Sequence, residues 1–342
     1  MEENTNKRSQ AHSITIGDIA RELGCSKTTV SRAISGKGRI GKETRERILS
    51  YIEECEYKPN VIAKSLAKSK TYNFAVVLPG DQDVAEIPFF QNCLLGVCEM
   101  AAGVDYDVIV TTVENDDISR LVKLVQNHKV DGVILTRSLL HDEPAEYLKK
   151  EGIPFVMIGS SEDKSIIQID NHHIEACKEL TNVLIMQNLK KLAFIGGNSN
   201  HIVSQKRYQG FMEGLAAFDI EPNKELIHLD ATTKVLVDKA VTEILKHPVD
   251  CIVCMDDVIC GQVLLDLEEK DIKIPDDIKV ASFYDSFSLA SHNPAITAVK
   301  FKVKDLGITA CRILNDIVNG REVASRTLLG YEIALKASTK RK

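Results

Sequence analysis

The sequence predicts an α/β protein: an all-helical N-terminal head followed by a two-lobed body built on parallel sheets. Three observations predict it. The first is length, because 342 residues exceed what one hydrophobic core usually covers. The second is a change of texture at Tyr72, from amphipathic helical stretches broken by glycine to short apolar runs alternating with helices. The third is charge. Residues 1–70 carry 14 Lys and Arg against 9 Asp and Glu, whereas the remainder carries 29 against 40. A basic head on an acidic body is expected where only the head meets phosphate, although a solvated charge run gives the same counts.

Composition narrows the class. At 44% hydrophobic and 27% charged, the chain reads as an ordinary soluble globular protein. No apolar run approaches the roughly 20 residues of a membrane span, and the opening MEENTNKRSQ has no apolar export region. The expectation is a cytoplasmic protein with no membrane partner. Nine cysteines, an odd number scattered through apparent core segments, then read as reduced buried thiols.

In the head, Thr15-Ile16-Gly17-Asp18 reads as a capping box opening a helix through Leu23, which Gly24 stops. Ser26 caps a second helix to about Ser35, and Gly36-Lys37-Gly38 breaks it. A third, from about Lys42 to Cys55, places Ile48, Leu49 and Ile52 on one face. Pro59 ends this unit, because it disfavours helix at Lys58. The expected organisation is a head over 13–58, a hinge helix and linker over 59–71, and a body over 72–342.

The body's apolar runs are FAVVLP, DVIVTTV, GVILT and PFVMIG, then KLAFIGG, CIVCM and KVASF. Helical stretches such as Ile118–His128, Ile174–Met186, Arg207–Phe218 and Val235–Lys246 lie between them. Apolar strands alternating with helices mean parallel sheets covered on both faces. The first four runs and the last three make two sheets, changing over near Asp170-Asn171. Ligands of such sheets bind at the carboxyl ends of the strands, so the two lobes face each other across a cleft.

The segment Asp18–Arg32 carries the strongest chemistry. Ile19, Ala20, Leu23 and Val30 can form a small core, and Gly24 permits the tight turn between helices. Lys27, Thr28 and Arg32 then project from the start of the second helix, the part that enters a major groove. Arg and Lys suit guanine edges; Thr15, Ser26, Thr29 and Ser31 suit phosphates or mixed edges. A generic three-helix bundle with a basic face is the bland alternative.

This run resembles the helix-turn-helix head of the LacI/GalR family of bacterial transcription regulators, with Cys25 where the family usually has valine. The resemblance continues through Tyr57-Lys58-Pro59-Asn60 and Ala63-Lys64-Ser65-Leu66, similar to the family's hinge helix. It extends to Arg207-Tyr208-Gln209-Gly210-Phe211, Ile274-Pro275-Asp276-Asp277-Ile278 and Asn293-Pro294-Ala295-Ile296-Thr297. It spans about residues 14 to 339. It implies two periplasmic-binding-protein-like lobes, about 72–170 with 301–329 and about 171–300 with 330–342, in a homodimer that pairs the heads on double-stranded operator DNA. It implies that Leu66 wedges into the minor groove beside Asn60, Ala63 and Lys64; an inserted apolar side chain bends the duplex.

For a small-molecule effector, the resemblance implies Arg207, whose fork of donors suits hydroxyls or carboxylates, and Asp257. Asp256 stands where the family has an amide. Phe89 and Phe90 occupy a cleft-lining segment, as platforms for sugar rings. Tyr284 replaces a common effector-binding aspartate and Phe301 a common glutamine, leaving Asp285 to take over the lost role. Pro88-Phe89-Phe90, Phe194-Ile195-Gly196-Gly197 and Ser282-Phe283 are similar to the family's maltose-operon regulators, implying a repressor controlled by maltose or a maltodextrin. A purine or a phosphorylated corepressor protein is the alternative effector; a solute-binding protein or a Rossmann-like enzyme is the more distant reading.

Other constellations read as structural. Cys251 and Cys254 have redox spacing but sit within a strand, where i and i+3 point to opposite faces. His172-His173 has no partner at zinc-ligand spacing. Gly196-Gly197-Asn198 lacks both the dinucleotide fingerprint and the P-loop lysine. No nucleophile–base pair is present. The expectation is a regulator without catalytic residues, cofactor or metal.

Overall fold

A computed structural model describes residues 14–36, 38–57, 70–80, 87–114 and 117–340. It divides into two compact units, with the boundary between Thr71 and Tyr72.

In the first unit, α1 (Ile16–Glu22) opens on the Thr15 capping box, in which the Thr15 hydroxyl and the Asp18 carboxylate satisfy each other's backbone N–H. The helix stops at Glu22, one residue short of the expected Leu23. Gly24 then takes φ +60°, a left-handed turn that glycine adopts without steric cost. The Arg47 guanidinium donates to the Leu23 carbonyl at 2.6 Å, covering an oxygen the helix end leaves open. Ser26 caps α2 (Lys27–Ser35) by accepting from the Thr29 N–H at 3.1 Å. α3 (Lys42–Glu54) closes the bundle. Ile19, Ala20, Val30, Ala33 and Ile48 are buried, and Leu23 packs against them only half-buried. One expectation is corrected: Leu49 is 40% exposed. At about 100° per residue it turns away from the Ile48–Ile52 face, and Tyr51 supplies the third inward contact.

The second unit contains two sheets. The first has strand order β11-β5-β4-β3-β1-β2, with β1 (Asn73–Pro79), β2 (Asp107–Val113), β3 (Gly132–Leu135), β4 (Phe155–Ile158), β5 (Gln168–Asn171) and β11 (Arg326–Leu329). The second runs β12-β10-β9-β8-β6-β7, with β6 (Leu192–Ile195), β7 (Ile227–His228), β8 (Cys251–Cys254), β9 (Lys279–Ser282), β10 (Thr297–Phe301) and β12 (Tyr331–Ala334). Every pairing is parallel except β10 with β12. The expected α/β class with parallel-dominated sheets is what the chain adopts.

Strand alternation splits the first lobe's core between two faces. Phe74, Val76 and Leu78 pack under α4 (Pro88–Ala102) and α12 (Val303–Val318); Ala75 and Val77 pack under α5 (Ser119–Gln126) and α6 (Glu143–Lys150). The second sheet is covered by α7 (His173–Met186), α8 (Ile202–Ala216), α9 (Lys234–Ile244), α10 (Asp257–Glu269) and α11 (Phe287–Ser291). α7 and α8 approach closely because Gly210 faces the Ile174 carbonyl, which a Cβ would meet at 2.4 Å.

Asp170 and Asn171, expected near the change-over, are the end of β5 itself, and the chain then enters α7 of the second lobe. It returns after Phe301, when α12 packs on the first sheet and β11 pairs with β5, and it leaves again when β12 joins β10. α8 begins at Ile202, five residues before the expected Arg207. No capping side chain marks that start, so the sequence carries no signal for it. Of the thiols, Cys98 is exposed and Cys25 and Cys55 are half-buried, against the expectation of uniform burial, because these positions fall on solvent-side helix and turn faces.

Candidate functional site

The head presents one polar face. Lys27, Thr28, Ser31 and Arg32 on α2 are exposed, at spacings that share one side of the helix. The three remaining candidates carry structural duties. Thr15 donates its hydroxyl to the Asp18 carboxylate at 2.7 Å, and Ser26 bonds the half-buried Thr29 hydroxyl at 2.8 Å while capping α2. Asn60, Ala63, Lys64 and Leu66 lie outside the described residues.

In the body, a cavity of about 180 Å³ lies where both sheets point their carboxyl ends. From the first lobe come Thr136, Arg137 and Ser138 after β3, Gly159 after β4, and Asp170 and Asn171 at the end of β5. From the second come Asp256 and Asp257 after β8, Tyr284 after β9 and Phe301 at the end of β10. Phe89 and Phe90 enter from the first turn of α4, and Arg207 from the middle of α8.

Arg207 is 8% exposed. Its Nη1 donates to the Met255 carbonyl at 2.9 Å, and its guanidinium carbon lies 5.6 Å from the centre of the Tyr284 ring. One donor, Nε, is buried without a partner. Asp256 is the N-cap of α10, accepting from the Ile259 N–H at 2.9 Å, which fixes the turn that aims Asp257 inward. Burial first, then the neighbouring Asp256, pushes the Asp257 carboxyl above its ordinary value, with Ser286 opposing. The aromatic candidates form one wall. Phe89 meets Phe90 edge-on at 5.3 Å, Phe89 meets Tyr284 at 6.5 Å, and Tyr284 stacks on Phe301 at 6.3 Å.

Asp285 is the exception among the cleft candidates. It faces away from the cavity and forms an ion pair with Lys336, both oxygens at 2.8 Å from Nζ. The reason is local: side chains alternate as the chain leaves β9, so sending Tyr284 inward sends Asp285 outward.

Sequence reasoning missed a buried polar cluster at the lobe junction. His173 Nε2 is 3.2 Å from Asp170 Oδ1; Asp170 Oδ2 accepts from the Ser160 hydroxyl at 2.6 Å and from Lys206 at 3.0 Å. Lys206 also bonds Ser160. Burial works against the Asp170 charge, but His173, Lys206 and Ser160 outweigh it and hold the carboxyl well below the usual range. His173 nevertheless has a partner, since Asp170 meets it from three residues away. This is an ion-pair network rather than a metal centre: among the described residues no group of three His, Cys, Asp or Glu is placed to hold a metal. Cys251 and Cys254 are fully buried, and burial raises both thiols.

Residues 15–60 match the family described as "Bacterial regulatory proteins, lacI family", and residues 73–337 match "Periplasmic binding proteins and sugar binding domain of LacI family". The chain belongs to the LacI family. It is 28% identical over 338 residues to the HTH-type transcriptional regulator RegA of Clostridium saccharobutylicum, covering 95% of this chain and 99% of that one. It is 28% identical over 336 residues to the HTH-type transcriptional regulator MalR of Streptococcus pneumoniae serotype 4, covering 94% and 99%. A solved complex of the transcriptional regulator CelR with cellobiose matches with TM-score 0.72 at 25% identity, covering 95% and 99%. This LacI-family chain is accordingly a transcription regulator and not an enzyme. Among its described residues no helix is long and apolar enough to cross a membrane.

Proposed function

We propose that this LacI-family regulator is a cytoplasmic repressor that binds a double-stranded operator as a homodimer and is controlled by a sugar held between its lobes. In this reading residues 13–58 are the DNA-binding head, 59–71 the hinge, and 72–342 the sensing and dimerising body. One observation carries the sensor assignment. Arg207 and Asp257 converge on the same cavity as four aromatic rings, those of Phe89, Phe90, Tyr284 and Phe301. Polar groups fix orientation in such sites, and ring faces contact the apolar faces of sugars. The similarity to a solved structure described as a probable maltose operon transcriptional repressor MalR, with TM-score 0.74 at 28% identity, supports maltose or a maltodextrin, and the CelR complex with cellobiose supports a disaccharide-sized ligand.

The test is operator titration with and without a panel of maltose, maltotriose, cellobiose and glucose. At least one sugar should shift operator affinity by about 5-fold or more, within the ordinary range of allosteric coupling. A panel that shifts nothing refutes the sugar assignment.

The head yields its own prediction. Arg32 is exposed one turn into α2, so Arg32→Ala should cost about 1–3 kcal/mol on the operator and little on random DNA. Competition binding on both sequences measures it. Equal losses on both would reduce Arg32 to a phosphate contact.

A further inference from the structure

Three polar atoms at the cavity are buried without a partner: His173 Nδ1, Asn171 Oδ1 and Arg207 Nε. Their residues are 6%, 3% and 8% exposed, so water does not readily satisfy them from outside. We propose that His173 contacts the effector directly, its Nδ1 accepting a hydrogen bond from a hydroxyl of an uncharged sugar. The proposal rests on reading the cavity as the effector site and specifies which ligand chemistry that site selects.

The ring's tautomer follows from its neighbours. Asp170 from β5 takes the hydrogen on Nε2 at 3.2 Å, leaving the Nδ1 lone pair of this cavity-lining residue without a partner. The other charged groups facing the ring are Lys206 and Arg207 from α8; Phe301 from β10 packs edge-on at 4.8 Å and limits its rotation. Burial, helped by those two cations, holds His173 below its ordinary value against the pull of Asp170, so the ring is neutral at pH 7. Two residues lining the cavity therefore carry a buried, unpartnered neutral acceptor, His173 Nδ1 and Asn171 Oδ1, and Asp256 and Asp257 line it as well. Hydroxyl groups donate to all of these. A phosphate or carboxylate would set lone pairs against lone pairs there, with Arg207 and Arg137 the only Lys or Arg among the described residues lining the cavity to offset them.

The same cluster ties the contact to lobe position. Lys206 belongs to the second lobe, whereas Ser160 follows β4 and Asp170 lies in β5 of the first. The bond that fixes Asp170, and through it the His173 tautomer, therefore crosses between lobes.

Two variants separate the acceptor from the scaffold. In His173→Gln the amide nitrogen can still donate to Asp170 but nothing accepts at the Nδ1 position. In His173→Asn an amide oxygen stands near Nδ1. Calorimetry on the full chain would use maltose, its monodeoxy analogues and maltose 6′-phosphate. The expected result is a 10-fold or greater loss of maltose affinity in His173→Gln and a smaller loss in His173→Asn, an order that general misfolding would not produce. One monodeoxymaltose should lose a similar factor on wild type and nothing further on His173→Gln. Wild-type affinity for maltose in His173→Gln overturns the proposal, as does a deoxy penalty equal in both proteins. Preference for the phosphorylated sugar overturns it while leaving the cleft assignment standing. Failure of wild type to bind either of these or any sugar of the operator panel overturns both.

Discussion

Arg207→Ala is expected to abolish the response of operator binding to sugar while leaving ligand-free operator affinity nearly unchanged. The side chain spends one donor on the Met255 carbonyl, places its charge near the Tyr284 ring and keeps Nε unpartnered at the cavity wall. Hydrogen bonds to a charged group contribute about 1.5–3 kcal/mol each in a buried setting, so losing the fork should weaken sugar binding about 100-fold. Operator affinity in the absence of sugar does not draw on these contacts. The coupling does, because a ligand shifts a second equilibrium only through unequal affinity for the two states. Arg207→Lys should rescue poorly, since a point charge on a flexible stem does not reproduce the planar fork. Calorimetry with maltose, followed by operator titration at saturating sugar, measures both halves. If Arg207→Ala binds and responds like wild type, Arg207 is a structural residue bridging to Met255 and nothing more.

The parts of this molecule that the sequence made legible are those whose cause is local. Capping at Thr15 and Ser26 and the stops at Gly24 and Gly36 are decided within four residues, and they fall where expected. The apolar strands of the parallel sheets announce themselves by being buried on both faces. Strands such as β5 and β11 do not, because Gln168-Ile169-Asp170-Asn171 mixes polar and apolar residues although all four are buried. The Asp170 carboxylate draws on residues of other elements, Lys206 of the second lobe among them, and no local pattern encodes that.

The cavity divides in the same way. Arg207, Asp257 and the aromatic residues were suggested by resemblance to the family, and the fold brings them together. His173, Asp170 and Asn171 were missed because a histidine is informative only once its partner is known. The doublet His172-His173 offered no reason to prefer the second; its placement at the first turn of α7, against β5, makes the difference. The one available signal was position, since Asp170 and Asn171 were already expected where the chain changes lobes. Asp285 fails for the opposite reason: one residue of register decides which face a side chain meets, and no local pattern pinned that register.

Replacing either glycine at the crossing of α4 and α12 by alanine should destabilise the body strongly, with a sign opposite to helix propensity. Alanine in an exposed helix interior is favoured over glycine by about 1 kcal/mol. Here a Cβ on Gly96 would stand 2.1 Å from the Lys304 carbonyl oxygen, and one on Gly307 would stand 2.1 Å from that of Cys93. Both obstacles are backbone, so no side chain can swing aside and the helices must separate. Overpacking typically costs about 1–3 kcal/mol, and a reciprocal backbone clash belongs at the top of that range. For a unit of this size, about 3 kcal/mol lowers the melting temperature by roughly 6–12 °C. The two substitutions should be less than additive, because each separates the same pair of helices. Thermal denaturation of Gly96→Ala, Gly307→Ala and the double variant measures this, and an unchanged or raised Tm refutes the close-packing account. The consequence extends to the sensor. Phe89 and Phe90 stand in the first turn of α4, and Phe301 lies two residues before α12. Prising the helices apart therefore displaces part of the aromatic wall, and sugar affinity should fall together with Tm even though neither glycine lines the cavity.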